Sequence, residues 1–262
     1  MGANDNRSTM GKIRLKDIDT RAPKGWDKKE TKEKMAHLLK ELDDLQNLLY
    51  AESKHAVLII IQGMDASGKD GAIRNVFGKL NPQGVLVQAF KEPTAEELAH
   101  DFLWRIHAHT PRKGFIQVFN RSQYEDVLIT RVHNWIDEET AGRRMKAINH
   151  FERLLVEHND THILKFYLHI SPEEQRKRLD DRIRDPAKQW KYNADDFREA
   201  RLWDRYMEAY EDCFEHCSGV PWTIVPSDQN WYKEYLIAHA LKDVLKRLDM
   251  RYPGLKKEIL HN

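Results

Sequence analysis

Gly63-Met64-Asp65-Ala66-Ser67-Gly68-Lys69-Asp70 follows directly on an apolar run at residues 57–62 and leads into a helical pattern at 70–80. GxxxxGK between a strand and a helix is the arrangement that a phosphate-binding loop requires. Gly63 and Gly68 let the backbone turn its N–H groups inward around phosphate oxygens, the helix N-terminus adds partial positive charge, and Lys69 supplies a mobile cation. The position after the lysine departs from the common pattern, because it holds Asp70 where a Ser or Thr hydroxyl ordinarily holds magnesium. Asp65 and Asp70 thus set two carboxylates beside an anion cradle, which is unfavourable unless cations neutralise them. We therefore expect Mg²⁺ here, with Asp65 and Asp70 among its ligands. The plainer reading of Asp70 is that it complements the positive end of the helix, worth roughly 0.3–1 kcal/mol.

Outward from this loop, short apolar runs recur at 57–62, 85–90, 115–119, 163–169 and 223–225, as in strands buried on both faces. Helical patterns separate them at 70–80, 95–107, 123–132, 142–157, 172–183, 195–215 and 231–248. Such alternation predicts right-handed βαβ units, hence an α/β fold with a parallel sheet and helices on both faces. Ligands in such folds bind at the carboxyl ends of strands, where the loop lies. No internal repeat or low-complexity tract divides the chain, so residues 1–262 read as one domain. Residues 1–54 form an extension and a helix. Met35, Leu38, Leu39, Leu42, Leu45, Leu48 and Leu49 recur there at helical spacing and predict a packing face over 31–52.

A second constellation closes the third strand: Phe119-Asn120-Arg121-Ser122-Gln123-Tyr124-Glu125-Asp126. Arg121 at a strand end can bridge phosphate oxygens bidentately, which suits charge stabilisation in phosphoryl transfer. Glu125 is a further hard oxygen ligand, with Asp126 as a weaker candidate; both also read as solvated acids of a first helical turn. Arg131, at the end of the same segment, joins the phosphate-binding candidates. Residues 176–191 hold seven Lys/Arg and three Asp, with Arg178 and Arg182 at i, i+4 able to point at one anion. A basic stretch after the fourth strand is where nucleotide-kinase folds carry an arginine-bearing lid that excludes water. Arg74, Lys79, Lys91 and Arg105 add cations near strand ends or the loop helix.

Composition excludes several classes. With 40% hydrophobic residues in 262, the chain is neither disordered nor fibrous. Its 43 Lys plus Arg against 42 Asp plus Glu give no global field to draw it onto nucleic acid or a membrane, so any anion site is local. Cys213 and Cys217, with His216 between them, could begin a metal site, but no second ligand pair follows and they read as plain residues of a reducing compartment. The longest apolar run, 56–61, is far below the roughly 20 residues of a membrane helix. The opening MGANDNRSTMGK has no apolar leader, Gly2 matches the myristoylation pattern only weakly because Asn6 stands at its sixth position, and a soluble, cytoplasmic protein is expected. None of the 13 histidines falls in either motif, which argues against a phosphohistidine route.

GMDASGKDG (63–71), NPQGVLVQAFKEPTAEELAHDFLWRIH (81–107), FNRSQYEDVLITRVH (119–133), SPEEQRKRLDDRIRDPAKQWKYNADD (171–196) and PWTIVPSDQNWY (221–232), in this order, resemble the family-2 polyphosphate kinases over about residues 15 to 250. The resemblance implies a thymidylate-kinase-like fold: a three-layer α/β/α core, a five-stranded parallel sheet and a helical lid at about 172–192. It implies reversible, Mg²⁺-dependent transfer of a terminal phosphoryl group between inorganic polyphosphate and nucleotides. The FNRSxYED form is similar to that of the class III branch, implying action on both AMP and ADP, with ATP as product and GMP and GDP as wider candidates. By motif, Asp65, Lys69, Asp70, Arg121 and Glu125 take catalytic roles, with Asp65, Asp70 and Glu125 on the metal. Gly63, Gly68, Lys69, Arg74, Lys91, Arg121, Arg131, Arg178 and Arg182 are the phosphate-binding set. Family members are commonly dimers or tetramers, so a homo-oligomer is expected. The rival readings are an ATP-dependent nucleotide kinase and a polyanion-binding module without catalysis. Asp70 and the extra cations oppose the first; the intact acidic positions oppose the second.

Overall fold

In the computed structural model, which describes residues 13–255, the first apolar run forms β1 (Ala56–Gln62), buried along its whole length. Its side chains alternate between two cores. Leu58 and Ile60 join Phe119, Ile148, Tyr167 and Phe214 on one face, whereas Val57, Ile59 and Ile61 join Leu42, Val118, Phe166 and Leu241 on the other. Successive strand residues point to opposite faces, so a strand apolar at every position must be covered on both.

The order of elements is α1 (Lys28–Glu52), β1, α2 (Lys69–Val76), β2 (Val85–Ala89), α3 (Ala95–Leu98), α4 (Trp104–His107), β3 (Ile116–Asn120), α5 (Ile129–Val132), α6 (Glu138–Asn159), β4 (Thr161–His169), α7 (Pro172–Arg184), α8 (Ala194–Ala200), α9 (Trp203–His216), β5 (Trp222–Pro226) and α10 (Asn230–Arg247). The sheet is five-stranded, in the order β2-β3-β1-β4-β5, and every pairing is parallel. α1, α2 and α10 supply one core and α6 and α9 the other, giving the expected three layers. Leu38, Leu42 and Leu49 are the fully buried part of the predicted α1 face, with Met35, Leu39, Leu45 and Leu48 packed beside them.

Three helices expected to be continuous are broken. At 95–107 a capping box at Thr94 and Glu97 sets the short α3, and Asp101 then accepts from the Leu103 N–H at 3.0 Å to start a new turn. At 123–132 a 3₁₀ turn over Gln123–Val127 precedes α5, because Gln123 and Tyr124 are drawn into the core. At 195–215 the chain breaks between α8, which buries nothing fully, and α9, which buries Tyr206, Ala209, Tyr210, Cys213 and Phe214. One straight axis would not serve both.

The extension before α1 lies across the carboxyl end of the sheet. Thr20 donates to Asp228 at 2.8 Å, the Ala22 N–H to Gln229 at 2.9 Å, and the Ile18 carbonyl faces the His169 ring at 3.1 Å. MGANDNRSTMGK, including Gly2, lies outside the described residues. Among the described residues no helix is long and apolar enough to cross a membrane. Cys213 and Cys217 are free and buried in the core, where burial pushes both thiols up.

Candidate active site

β1 sits at the centre of the sheet, and the chain leaves it toward β2 on one side and later returns to β4 on the other. Such a switch point opens a crevice at the carboxyl ends of the strands. The loop 63–68 emerges there, and the register Ile61↔Asn120 brings Arg121 alongside it. Gly63 and Gly68 have φ of +151° and +97°, a region that favours glycine. A Cβ at Gly63 would also stand 2.9 Å from the Leu168 carbonyl oxygen, so the tight exit from β1 excludes a side chain.

Lys69 is buried and donates to the Gly63 carbonyl at 2.6 Å and the Met64 carbonyl at 3.2 Å. Burial lowers its pKa and the Arg121 charge adds to this, against Asp65, Glu125 and Asp70. Arg121 occupies left-handed backbone, φ +63°, and its N–H donates to the Ile61 carbonyl at 3.1 Å. A non-glycine residue there costs of order 1 kcal/mol and persists where surroundings fix it, often at functional sites. The result is a guanidinium set between Asp65, at 2.5 Å, and Glu125, at 3.8 Å. Glu125 raises the Arg121 pKa most, with Asp65 contributing, despite burial. Burial alone would raise the Asp65 carboxyl, but Lys69, Arg121 and Arg182 outweigh it and hold it below its ordinary range. Asp70 is likewise held down against its burial, by Asn120, whose amide donates at 3.0 Å, and by Lys191 at 3.3 Å. Asp65 and Glu125 therefore share one arginine, while Asp70 lies apart under the 3₁₀ turn that follows α7. The ligating oxygens of the three do not all come within 4.8 Å of one another. Asp126 is bound instead by Arg105 at 3.5 Å and Arg144 at 4.0 Å, and burial raises its carboxyl.

The other predicted cations divide. Arg74, Lys79 and Lys91 are exposed. Arg131 is committed to Glu138 and Asp212, at 2.7 and 2.8 Å. Arg182 pairs with Asp196 and so ties α7 to α8. Arg178 is not an open phosphate ligand in this structure: it donates to the Ala66 and Ser67 carbonyls, both at 3.1 Å, to the Ser227 and Asp228 carbonyls, both at 2.8 Å, and to Glu174 at 2.9 Å. It therefore grips the outer, carbonyl side of the loop.

Lys233, which sequence reasoning did not single out, does the same from α10. Fully buried, it donates to the Ser67 and Gly68 carbonyls, each at 3.1 Å, and to the Asn230 side chain at 2.9 Å. Burial, then the nearby Arg178, lowers its pKa to about 7. The second motif is anchored from below in a comparable way. Tyr124 donates to Glu152 at 2.7 Å, and Lys165 donates to Tyr124 at 2.7 Å, to Glu152 at 2.8 Å and to the Cys217 carbonyl at 2.8 Å. All three side chains are buried. The signal for these lysines was present: Lys233 precedes Ile237 and Leu241 at i, i+4, i+8, the buried stripe of α10, and Lys165 shares a strand face with Tyr167 and His169.

A cradle of this build takes a phosphorylated ligand, and comparison with known proteins narrows which. The family model for polyphosphate kinase 2 (PPK2) matches residues 25–253. An AMP/ADP-polyphosphate phosphotransferase of Meiothermus ruber is 47% identical over 248 residues, covering 93% of this chain and 92% of that protein. An ADP-polyphosphate phosphotransferase of Rhodopseudomonas palustris is 44% identical, covering 88% and 87%. The crystal structure of polyphosphate kinase 2 from Arthrobacter aurescens TC1 superposes with a TM-score of 0.93 at 42% identity, over 97% of this chain and 92% of that one. Sequence, architecture and loop chemistry agree end to end, and the chain belongs to the polyphosphate kinase 2 family.

Proposed function

We propose that the protein transfers the terminal phosphoryl group of inorganic polyphosphate to nucleotides, converting ADP to ATP and AMP to ADP, reversibly and with Mg²⁺. The observation that carries this reading is Arg121, fixed between Asp65 and Glu125 and beside the Lys69 loop. The acceptor's terminal phosphate has a second ionisation near pH 6, so at neutral pH it is already largely anionic and needs no general base. What remains is to bring two polyanions together in line, which calls for fixed positive charge. Lys69 and the inward loop N–H groups hold the transferring phosphate, and Arg121 stabilises its charge in the transition state. Asp65, Asp70 and Glu125 carry hard oxygen donors of the kind that suit Mg²⁺ and would hold it without forming one closed ligand set in this structure, and the depressed carboxyls of Asp65 and Asp70 stay ionised for it. The bound ion would neutralise phosphate charge. The α7–α8 segment acts as the lid: Lys191 touches Asp70, and Arg182 lies close enough to Asp65 to depress its carboxyl. The acidic residue after Lys69 and the exposed Arg74, Lys79 and Lys91 near the loop favour polyphosphate over ATP as donor. The similarity to a relative named for both AMP and ADP supports both acceptors. A cytoplasmic homo-oligomer completes the reading.

With polyphosphate and Mg²⁺ present and no other donor, ADP yields ATP and AMP yields ADP. Product from one acceptor alone would remove the dual specificity. Asp70→Asn leaves the fold intact and shifts the Mg²⁺ titration to higher concentration; an unmoved titration would remove Asp70 from the metal.

A further inference from the structure

Among the described residues, the single group of three or more potential metal ligands whose donor atoms lie within 4.8 Å of one another is not in the active site. It is His55, Asp160 and His162, at the amino ends of β1 and β4, the edge of the sheet opposite the phosphate-binding loop. Its scaffold is fixed by main chain. The register Ala56↔Thr161 sets His55 beside Asp160, the Ala56 N–H donates to the Asp160 carbonyl at 3.2 Å, and the His55 carbonyl accepts from the Gly114 N–H at 2.7 Å. Asp160 caps α6 in the left-handed conformation, φ +51°, which turns the chain into β4.

The side chains converge on one point. His55 Nδ1 stands 2.6 Å from one Asp160 carboxylate oxygen and His162 Nε2 stands 3.6 Å from the other, with the two rings edge to face at 5.4 Å. Both nitrogens are shielded from solvent, yet neither makes a hydrogen bond of acceptable geometry. An ordinary His–Asp ion pair accounts for one of these nitrogens at most. It leaves His162 Nε2 aimed at a carboxylate without a bond. Burial lowers the His162 pKa, against the Asp160 carboxylate and with weaker help from the charges of His55 and Arg247. Asp160 is half exposed, so the site is open to solvent on one side.

We propose that His55, Asp160 and His162 form a binding site for a borderline divalent transition ion of the Zn²⁺ class, separate from the Mg²⁺ chemistry. Two imidazoles and one carboxylate are a three-ligand set that leaves a fourth tetrahedral position for water. Imidazole discriminates against Mg²⁺, which takes oxygen donors. Because the ligands come from the starts of two adjacent central strands, the bound ion staples β1 to β4, and its binding stabilises the folded chain by mass action.

The test uses the untagged, chelator-treated full chain in excess Mg²⁺, so that hard oxygen sites are occupied, titrated with Zn²⁺ by calorimetry and by thermal unfolding. The wild type is expected to take up one equivalent more than His162→Gln, His55→Gln or Asp160→Asn, and to show an upward Tm shift that each variant loses. Each variant should match the wild-type Tm in chelator to within a few degrees, which separates lost ligation from lost folding. Equal uptake and equal Tm shift in wild type and all three variants would overturn the site, as would absence of Zn²⁺ uptake by the wild type.

Discussion

Arg121 and Lys233 act on the same loop from opposite sides. In the proposed mechanism Arg121 faces the phosphates and carries transition-state charge, so Arg121→Ala is expected to lower kcat about 10³-fold or more with the fold retained. Arg121→Lys should recover little, since a point charge cannot reproduce the planar fork. Near-normal turnover in either variant would remove Arg121 from the chemistry. Lys233, with Arg178, holds the Ala66, Ser67 and Gly68 carbonyls from the outer side of the loop. Lys233→Met leaves the Gly68 carbonyl and the Asn230 side-chain oxygen without this donor, at a cost of roughly 1–3 kcal/mol each at most where they stay buried, while the Ser67 carbonyl keeps Arg178. The lysine also leaves a pH signature. Its folded pKa is near 7 and its ordinary value 10.5, so between them the unfolded chain binds more protons and wild-type stability rises with pH. Denaturant midpoints from pH 7 to 10 should show that rise in the wild type relative to Lys233→Met. Parallel curves would mean that Lys233 is not the titrating group.

At the scale of elements, the second motif is held by a buried ion pair rather than by its own helix. Lys165 and Glu152 are 0% and 1% exposed, and Tyr124 bridges them. Glu152→Gln leaves the lysine charge buried without a counter-ion and should cost about 3–5 kcal/mol by chemical denaturation. Glu152→Leu with Lys165→Met should recover most of that stability while turnover stays low, because Tyr124 and the segment bearing Arg121 and Glu125 lose their anchor. Full activity in the stable double variant would show that the network serves stability alone. This layer marks where sequence reading ends. The strand–loop–helix at 56–76, the five strands and the two motifs were legible because each is local, written in periodicity and in glycine spacing. The breaks at 99–103 and 201–202 were not, since Asp101 re-caps a turn and α8 packs apart from α9. Arg178 read as an anion ligand because its spacing to Arg182 is local, whereas the carbonyls it grips, in the loops 66–67 and 227–228, are brought to it only by the fold. Lys233 and Lys165 sit on apolar stripes; a lysine among core positions was the available sign of a buried side chain bonded to main-chain or acidic acceptors.

At the scale of the molecule, near-neutral charge and a localised cradle belong together. A net charge of +1 gives no long-range pull on polyanions, so in the proposed reading the loop, Arg121 and the α7–α8 segment carry affinity for the donor. Excess salt should therefore weaken polyphosphate binding through the exposed lid and loop cations far more than through the buried ones. The sheet places Lys69, Arg121 and Asp70 at the carboxyl ends of the strands and the His55–Asp160–His162 group at the opposite, amino end of β1 and β4, which would keep a Mg²⁺ held by the acidic loop apart from any ion held there. In the proposed function polyphosphate itself is the phosphoryl donor at this crevice. The most direct test is nucleotide product analysis with AMP as acceptor and Mg²⁺, supplying polyphosphate as sole donor in one reaction and ATP as sole donor in another. ADP is expected from polyphosphate with no ATP present; ADP formed only when ATP is supplied would make the protein an ordinary nucleotide kinase.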